Sequence, residues 1–463
     1  MQERKRWSRL KRFIGTGALS TAILIGNVLP LHAAEANVAV PDISPWSIAT
    51  LNEGEKYGIY PMDWYYDGTF KQTITSEKFS SLINATEKKL DGLGFTKKYD
   101  SLTMPASEEI TRSIVVDTLY QLLDRYELPE SFAITGVSPA SYLQQKGIIK
   151  GSGGNTGLQL DHPASVEQAV VMASRLVEYT YDTADAGAEG LMWKVTNDNN
   201  TLYLLGSVHM GIAEMYPMHK SIREAFSAAD DLWVELDIVN GDMTYLQEKM
   251  VYSDGTQLQD HIAPATYEKL QTVLKQLGLP LDTFNSFKPF AISTTLTSFA
   301  YFEDPADSIF AMAAGIDQYF ITNALLTGKP IHELEGVKVQ ADVLGDVSAE
   351  AQEQELVDLL DTLSSKEASA KIATNLKQMQ LEWVAGNADG LKDQLMADGQ
   401  LTQGETNQKL LGERDKNMAL KLAELLEQDG KHTSFVVVGA AITLWMAWSL
   451  TCSKKKVTTY NEC

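Results

Sequence analysis

The sequence predicts an α/β (α+β) domain carrying helical insertions, preceded by a mainly α module. Two patterns and the composition point there. From residue 191 onward, short apolar strands alternate with longer amphipathic helices. Before it, Thr75, Thr111 and Ser165 each stand ahead of apolar residues at helical spacing. The 463 residues are 44% hydrophobic and 22% charged, which suits a globular chain of two or three domains. The formal charge of −22 argues against nucleic acid as a partner, because phosphate binding needs a basic surface.

Residues 1–36 place a cluster of Lys and Arg before an apolar run that ends in small residues. That is the order of a secretory signal peptide, with cleavage expected after Ala36 in Ala34-Glu35-Ala36. The competing reading is a retained membrane helix. Gly, Thr, Ser, Asn and Pro inside the run weaken it, so no stable membrane span is expected after cleavage. Both cysteines, Cys452 and Cys463, lie at the far C-terminus, so the folded body is expected to rely on its core and not on disulfides.

Residues 37–178 repeat weakly. One unit contains "YGIYPMDWYYDGTFKQTITSEKFSSLINATEKKL" and another "KGIIKGSGGNTGLQLDHPASVEQAVVMASRLVEY". Between them, "MPASEEITRSIVVDTLYQLLDRY" repeats the helical half. Behind the three caps, Phe79, Leu82 and Ile83, and likewise Val115, Leu119 and Leu122, recur at helical spacing. The units resemble S-layer homology repeats. That resemblance implies a pseudo-threefold helical module that binds cell-wall polysaccharide, with Arg112 of Ile110-Thr111-Arg112 as the binding residue. The first and third units lack the corresponding Arg, and a helical domain without wall affinity stays open. Residues 179–190, "YTYDTADAGAEG", are small and acidic and read as a linker.

In residues 191–441, "LMWKVTNDNNTLYLLGSVHMG" reads as two strands around an Asn-rich turn, the second ending at Gly206-Ser207-Val208-His209. "MHKSIREAFSAAD" reads as a helix, and "DLWVELDI" as a strand bearing Glu235 and Asp237. A His and a carboxylate at neighbouring strand ends can share a metal ion. "HELE" at His332–Glu335 lacks the second His of a zinc helix and reads as a strand end, with Glu335 facing the site. Residues 349–430 read as helices, followed by the strand "SFVVVGAA".

These motifs, with "GIDQYF", "GKPIHELEG", Gln340 and "ERDKNMA" in this order, resemble the TraB/GumN family, which includes the Tiki proteases. The resemblance implies a metal-dependent hydrolase whose site combines two Gly-x-x-His motifs with a glutamate. Carried over, His209 and Glu235 are the metal ligands and catalytic residues, and Asp317 and Arg414 support them. The implied cofactor is a divalent metal ion of unspecified identity, and the implied substrate a peptide or protein.

The second Gly-x-x-His is expected at Gly439-Ala440-Ala441, yet Ile442 follows. Residues 442–463 then hold two Trp, three consecutive Lys and both cysteines. With permitted codons, this tail read one base out of frame encodes "HYVMDGLVPDLLKKKGYNV" and a stop. The single codons of Trp445 and Met446 force Asp then Gly there. The shifted peptide opens on the missing His, so the tail is read as frameshifted, with a membrane anchor or true divergence as the alternatives. It is expected to leave a sheet edge uncovered. Two functions follow: a secreted, cell-wall-associated hydrolase impaired by the lost His, or a non-catalytic wall-polysaccharide-binding protein.

Overall fold

The computed structural model describes residues 41–443 and 456–459, apart from 103, 105–106, 108, 135, 152–156, 198, 239–240, 303–304, 397–404 and 406–412. The expected signal peptide and much of the unusual tail lie outside the described residues. The chain divides into two compact units. One holds the described residues of Val38–Ala188 and Ala213–Arg223, the other those of Glu189–Ile212 and Glu224–Cys463.

The first unit is helical: α1 (Ile48–Lys56), α2 (Ser76–Asp91), α3 (Arg112–Asp124), α4 (Pro139–Gln145) and α5 (Val166–Thr183). The expected caps are in place. The Thr75 hydroxyl accepts from Lys78 N, that of Thr111 from Ile114 N, and Ser165 forms a capping box with Gln168. Each cap satisfies a helix N–H that would otherwise lack a partner. Phe79, Leu82, Ile83, Val115, Leu119 and Leu122 are buried, as their spacing predicts. The segments before the helices are stitched together, since Ile74 N donates to Ala164 O and Ala164 N to Ile110 O. Helix α5 runs into the expected linker as far as Thr183. Buried Thr180, whose hydroxyl donates to Leu176 O, keeps that last stretch on the core.

The second unit is built on a mixed sheet of order β4-β3-β5-β2-β1-β6. Its strands are β1 (Met192–Thr196), β2 (Thr201–Ser207), β3 (Asp231–Val234), β4 (Ile331–Glu333), β5 (Thr433–Gly439) and β6 (Lys456–Thr459). Strands β2, β5, β3 and β4 run parallel, whereas β1 is antiparallel to β2 and to β6. The Asn-rich hairpin forms as expected, with Asn197 Oδ1 accepting from Asn199 N and Asn200 N. Strand β3 stops at Val234, short of the predicted "DLWVELDI" span. Glu235 instead turns its carbonyl to Glu335 N and Gly336 N just past β4. Strand β6 was not expected. Its Val and Thr residues suit an edge strand, and it covers β1 where the sequence suggested a bare edge.

Helix α6 (Lys220–Ala228) precedes β3, and Phe226 packs against Phe320 and Phe435. Between β3 and β4 come α7 (Thr244–Met250), α8 (Pro264–Gln276), α9 (Pro289–Tyr301), α10 (Pro305–Ala313) and α11 (Ile316–Thr327). After β4 come α12 (Val337–Gly345), α13 (Ala349–Leu363), α14 (Lys366–Val384), α15 (Ala388–Met396) and α16 (Glu413–Glu427). Leu270, Phe284, Phe287, Leu356 and Leu360 form a core of their own within these insertions. Among the described residues, no single helix is long and apolar enough to cross a membrane. The bent pair α10–α11 passes such a test by composition, but Ala313, Phe320, Ile321 and Ala324 are fully buried.

Candidate functional site

Strands β2, β3 and β5 are parallel, so Ser207, Val234 and Gly439 end at one edge of the sheet. Parallel sheets gather their sites at such carboxyl ends. His209 follows β2 there, Glu235 follows β3, and Ala440–Ile442 follow β5.

Close backbone packing holds the loop of His209. A Cβ on Gly211 would lie 1.7 Å from Ala314 O, and one on Gly315 would lie 2.3 Å from His209 O, so neither position admits a side chain. Ile316 N donates to Val208 O. From α14, Trp383 Nε1 donates to Gly206 O and Gln380 Nε2 to Met210 O. Sequence reasoning missed both anchors. Their signal, a Gln and a Trp three positions apart, is that of many helix faces.

His209 Nδ1 pairs with Asp317 Oδ2 at 2.7 Å, and Asp317 sits in the first turn of α11, where the helix dipole favours a carboxylate. The charge of Asp317 pushes His209 up to about 9. The His209 side chain is 73% exposed, so solvent screens part of that pull. Burial alone would raise Asp317, but the charge and hydrogen bond of His209 carry it below the usual carboxylate range.

Glu235 belongs to a second, drier network. Its Oε1 accepts from Gly439 N and its Oε2 from Arg414 Nη2, both at 2.5 Å. Arg414 Nε also donates to both oxygens of Glu335, at 2.6 and 2.7 Å, and Nη2 donates to Gln340 Oε1 at 3.2 Å. Arg414 and Glu335 have side chains only 6% and 4% exposed. Burial raises Glu335, and Arg414 works against that rise. One guanidinium thus bridges two carboxylates, and Glu335, expected to face the site, meets it through Arg414 and lines neither site cavity. His332 instead stacks on Trp233, with ring centroids 4.7 Å apart.

Ile442 lies where the second histidine is expected. It lines a cavity of about 430 Å3 together with His209, Glu235 and Arg414. A Cβ on Gly439 would be 3.2 Å from Glu235 Oε1 and 3.7 Å from Ile442 Cδ1, so both side chains close over the same glycine. The residues present do not fit a catalytic divalent ion. His209 offers one imidazole nitrogen, both Glu235 oxygens are engaged, and Ile442 offers no donor. Among the described residues, no cluster of three or more His, Cys, Asp or Glu could hold a metal ion. Catalytic zinc sites ordinarily use three protein ligands.

Arg112 sits in the first unit and belongs to a different feature. It is 5% exposed, and its Nε and Nη2 donate to Leu158 O and Lys150 O. It also lines a cavity of about 410 Å3 with Trp46, Lys150, Gln168 and Arg175.

The chain is 26% identical over 187 residues to a protein named uncharacterized protein YbaP in Escherichia coli (strain K12), and to its namesake in Shigella flexneri. Each match covers 40% of this chain and 65% of the relative, so less than two thirds of those relatives is spanned. An uncharacterized protein of Treponema pallidum (strain Nichols) is 26% identical over 115 residues, 23% of this chain and 34% of its own. No solved structure gives a significant match. The family model of TraB/PrgY/gumN matches residues 191–444, from the start of β1 past Ile442, and the chain belongs to that family.

Proposed function

We propose that the second unit is the site of a metal-dependent, peptidase-like hydrolase of Tiki type, and that this chain is impaired because Ile442 replaces an imidazole. The observation that carries the reading is the meeting of three strand ends. His209 held by Asp317, Glu235 held by Arg414, and Ile442 all line one cavity. Asp317 pairs with Nδ1 of His209 and so leaves Nε2 as the ring nitrogen it does not engage. Arg414 Nη2 and the Gly439 N–H hold the two oxygens of Glu235 in place.

The test is Ile442→His, compared with the chain as it stands for metal content by plasma mass spectrometry and for hydrolysis of a peptide library. The variant should gain near-stoichiometric metal and turnover. Equal metal content and equal turnover in the two proteins would refute the role given to position 442.

A second reading concerns the first unit. We propose that it is a degenerate S-layer-homology module and that the protein is secreted and attached to cell-wall polysaccharide. The supporting observation is the Arg112 cavity. None of its lining residues is acidic, Trp46 is 54% exposed, and burial lowers both Arg112 and Arg175. Partly desolvated guanidiniums favour an anionic ligand. Pelleting with purified cell walls should fall on Arg175→Ala, and unchanged pelleting would sink this reading.

A further inference from the structure

Two cavities meet at the candidate site. The first, about 430 Å3, extends toward Tyr301 of α9, Leu376 and Met379 of α14, and Leu391 of α15. The second, about 300 Å3, extends toward Leu246 and Met250 of α7, Phe290 of α9 and Met312 of α10. His209, Glu235, Gln340 and Leu344 line both, so the reactive groups form the partition between two apolar chambers.

The charged groups are already paired. Arg414 in the first chamber holds Glu235 and Glu335, and Asp317 in the second holds His209. A charged side chain entering either chamber would lose its water without gaining a free counter-charge. A bulky apolar side chain loses nothing and removes apolar wall from water. Both volumes lie at the lower end of ordinary small-ligand pockets, roughly 300–1,000 Å3. Each therefore suits one large side chain better than a whole ligand.

The geometry points to a substrate that straddles the partition: a peptide segment with bulky aliphatic or aromatic residues on both sides of the bond placed at His209 and Glu235. This rests on the hydrolase reading for the bond broken, but not for the binding of the side chains. Ile442 adds an apolar wall to the first chamber and does not line the second. The chain as it stands is therefore competent to bind such groups even if it cannot turn them over.

The experiment has two arms. In the first, the full chain is titrated with N-acetyl-leucinamide, N-acetyl-phenylalaninamide and N-acetyl-aspartamide, followed by ligand-detected NMR. The two apolar amides should bind and the acidic one should not. Met379→Trp, filling the first chamber, and Leu236→Trp, filling the second, should each weaken binding about tenfold or more, the scale on which apolar pockets discriminate. Circular dichroism melts select variants that remain folded, and Leu376→Phe and Thr294→Leu are milder fillings for the same purpose. Equal binding of the acidic amide, or apolar binding indifferent to every folded filled variant, would overturn the proposal. In the second arm, Ile442→His is given a peptide library. Cleavage between two bulky apolar residues supports the proposal, and cleavage without that preference overturns it while leaving the hydrolase reading intact. Apolar amides that bind to a protein that never cleaves would leave the chambers standing and remove the hydrolase reading.

Discussion

Replacing Arg414 with methionine removes the guanidinium that joins Glu235 to Glu335. Methionine keeps much of the packing volume, so the loss is mainly one of charge and hydrogen bonds. Glu335 then stays buried with no cation against it, and Glu235 keeps only the Gly439 N–H. Breaking a buried ion pair by removing one partner costs about 3–5 kcal/mol. The second unit should lose that much stability near pH 8. The loss should shrink on acidification. Glu335 is already raised by burial, and without Arg414 its folded-state pKa rises further above the unfolded value. A carboxyl raised in the folded state adds stability below its unfolded pKa of about 4.3, and that stability is lost as pH climbs through the folded pKa. The double variant Arg414→Met, Glu335→Met removes the stranded carboxylate too. It should recover most of the loss at pH 8, because apolar replacement of a buried pair is often neutral.

Urea unfolding read by pulsed hydrogen exchange suits a two-unit chain, since peptides from β3 and β5 report the second unit alone. A loss that is the same at pH 5 and pH 8 would refute the argument from stranded charge. A double variant as weak as the single one would refute it as well, and would assign Arg414 a packing role only.

Asp317→Asn removes the charge that raises His209, whose pKa, followed by NMR of the imidazole protons, should fall toward the ordinary value of about 6.5. A raised His adds stability that is full below its unfolded pKa and lost as pH rises toward about 9, so the variant should also flatten the melting temperature across that window. An unchanged titration would mean that the Nδ1 contact does not form in solution. Gly211→Ala forces a methyl against Ala314 O and should destabilise the second unit by about 1–3 kcal/mol, measured by the same exchange experiment, and a neutral effect would mean the His209 loop is not held as described.

Much of the architecture was legible because it is local. Caps at Thr75, Thr111 and Ser165, apolar spacing behind them, and the Asn-rich hairpin each depend on neighbours a few residues away. The end of β3 was not legible. Nothing in "DLWVELDI" says that Glu235 should leave the ladder, because that is decided by Glu335 and Gly336 a hundred residues later. The same holds for α14, where Trp383 and Gln380 bind loop carbonyls across the sequence. The site divides along this line. His209 and Glu235 could be named from their motifs, and Asp317 and Arg414 could be placed beside them. That Arg414 spends its charge on two glutamates at once is a property of packing alone.

Position 442 is where sequence and structure bear on each other most directly. Ile442 is only 6% exposed, so its side chain is part of the cavity wall and not a surface accident. Isoleucine and histidine have similar bulk, and volume-conserving changes are the ones cores tolerate best. The strand that delivers the position, β5, is buried from Phe435 to Val438 and pairs on both sides with β2 and β3. A changed reading frame beginning at Ile442 would therefore leave every strand beneath the site intact and alter the site from its third corner onward. Three strand ends meet at this cavity, and the one after β5 carries an alkyl group. Restoring the imidazole by Ile442→His asks little of the packing, and that makes the metal content of this single variant a sharp measure of whether the site was built to hold an ion.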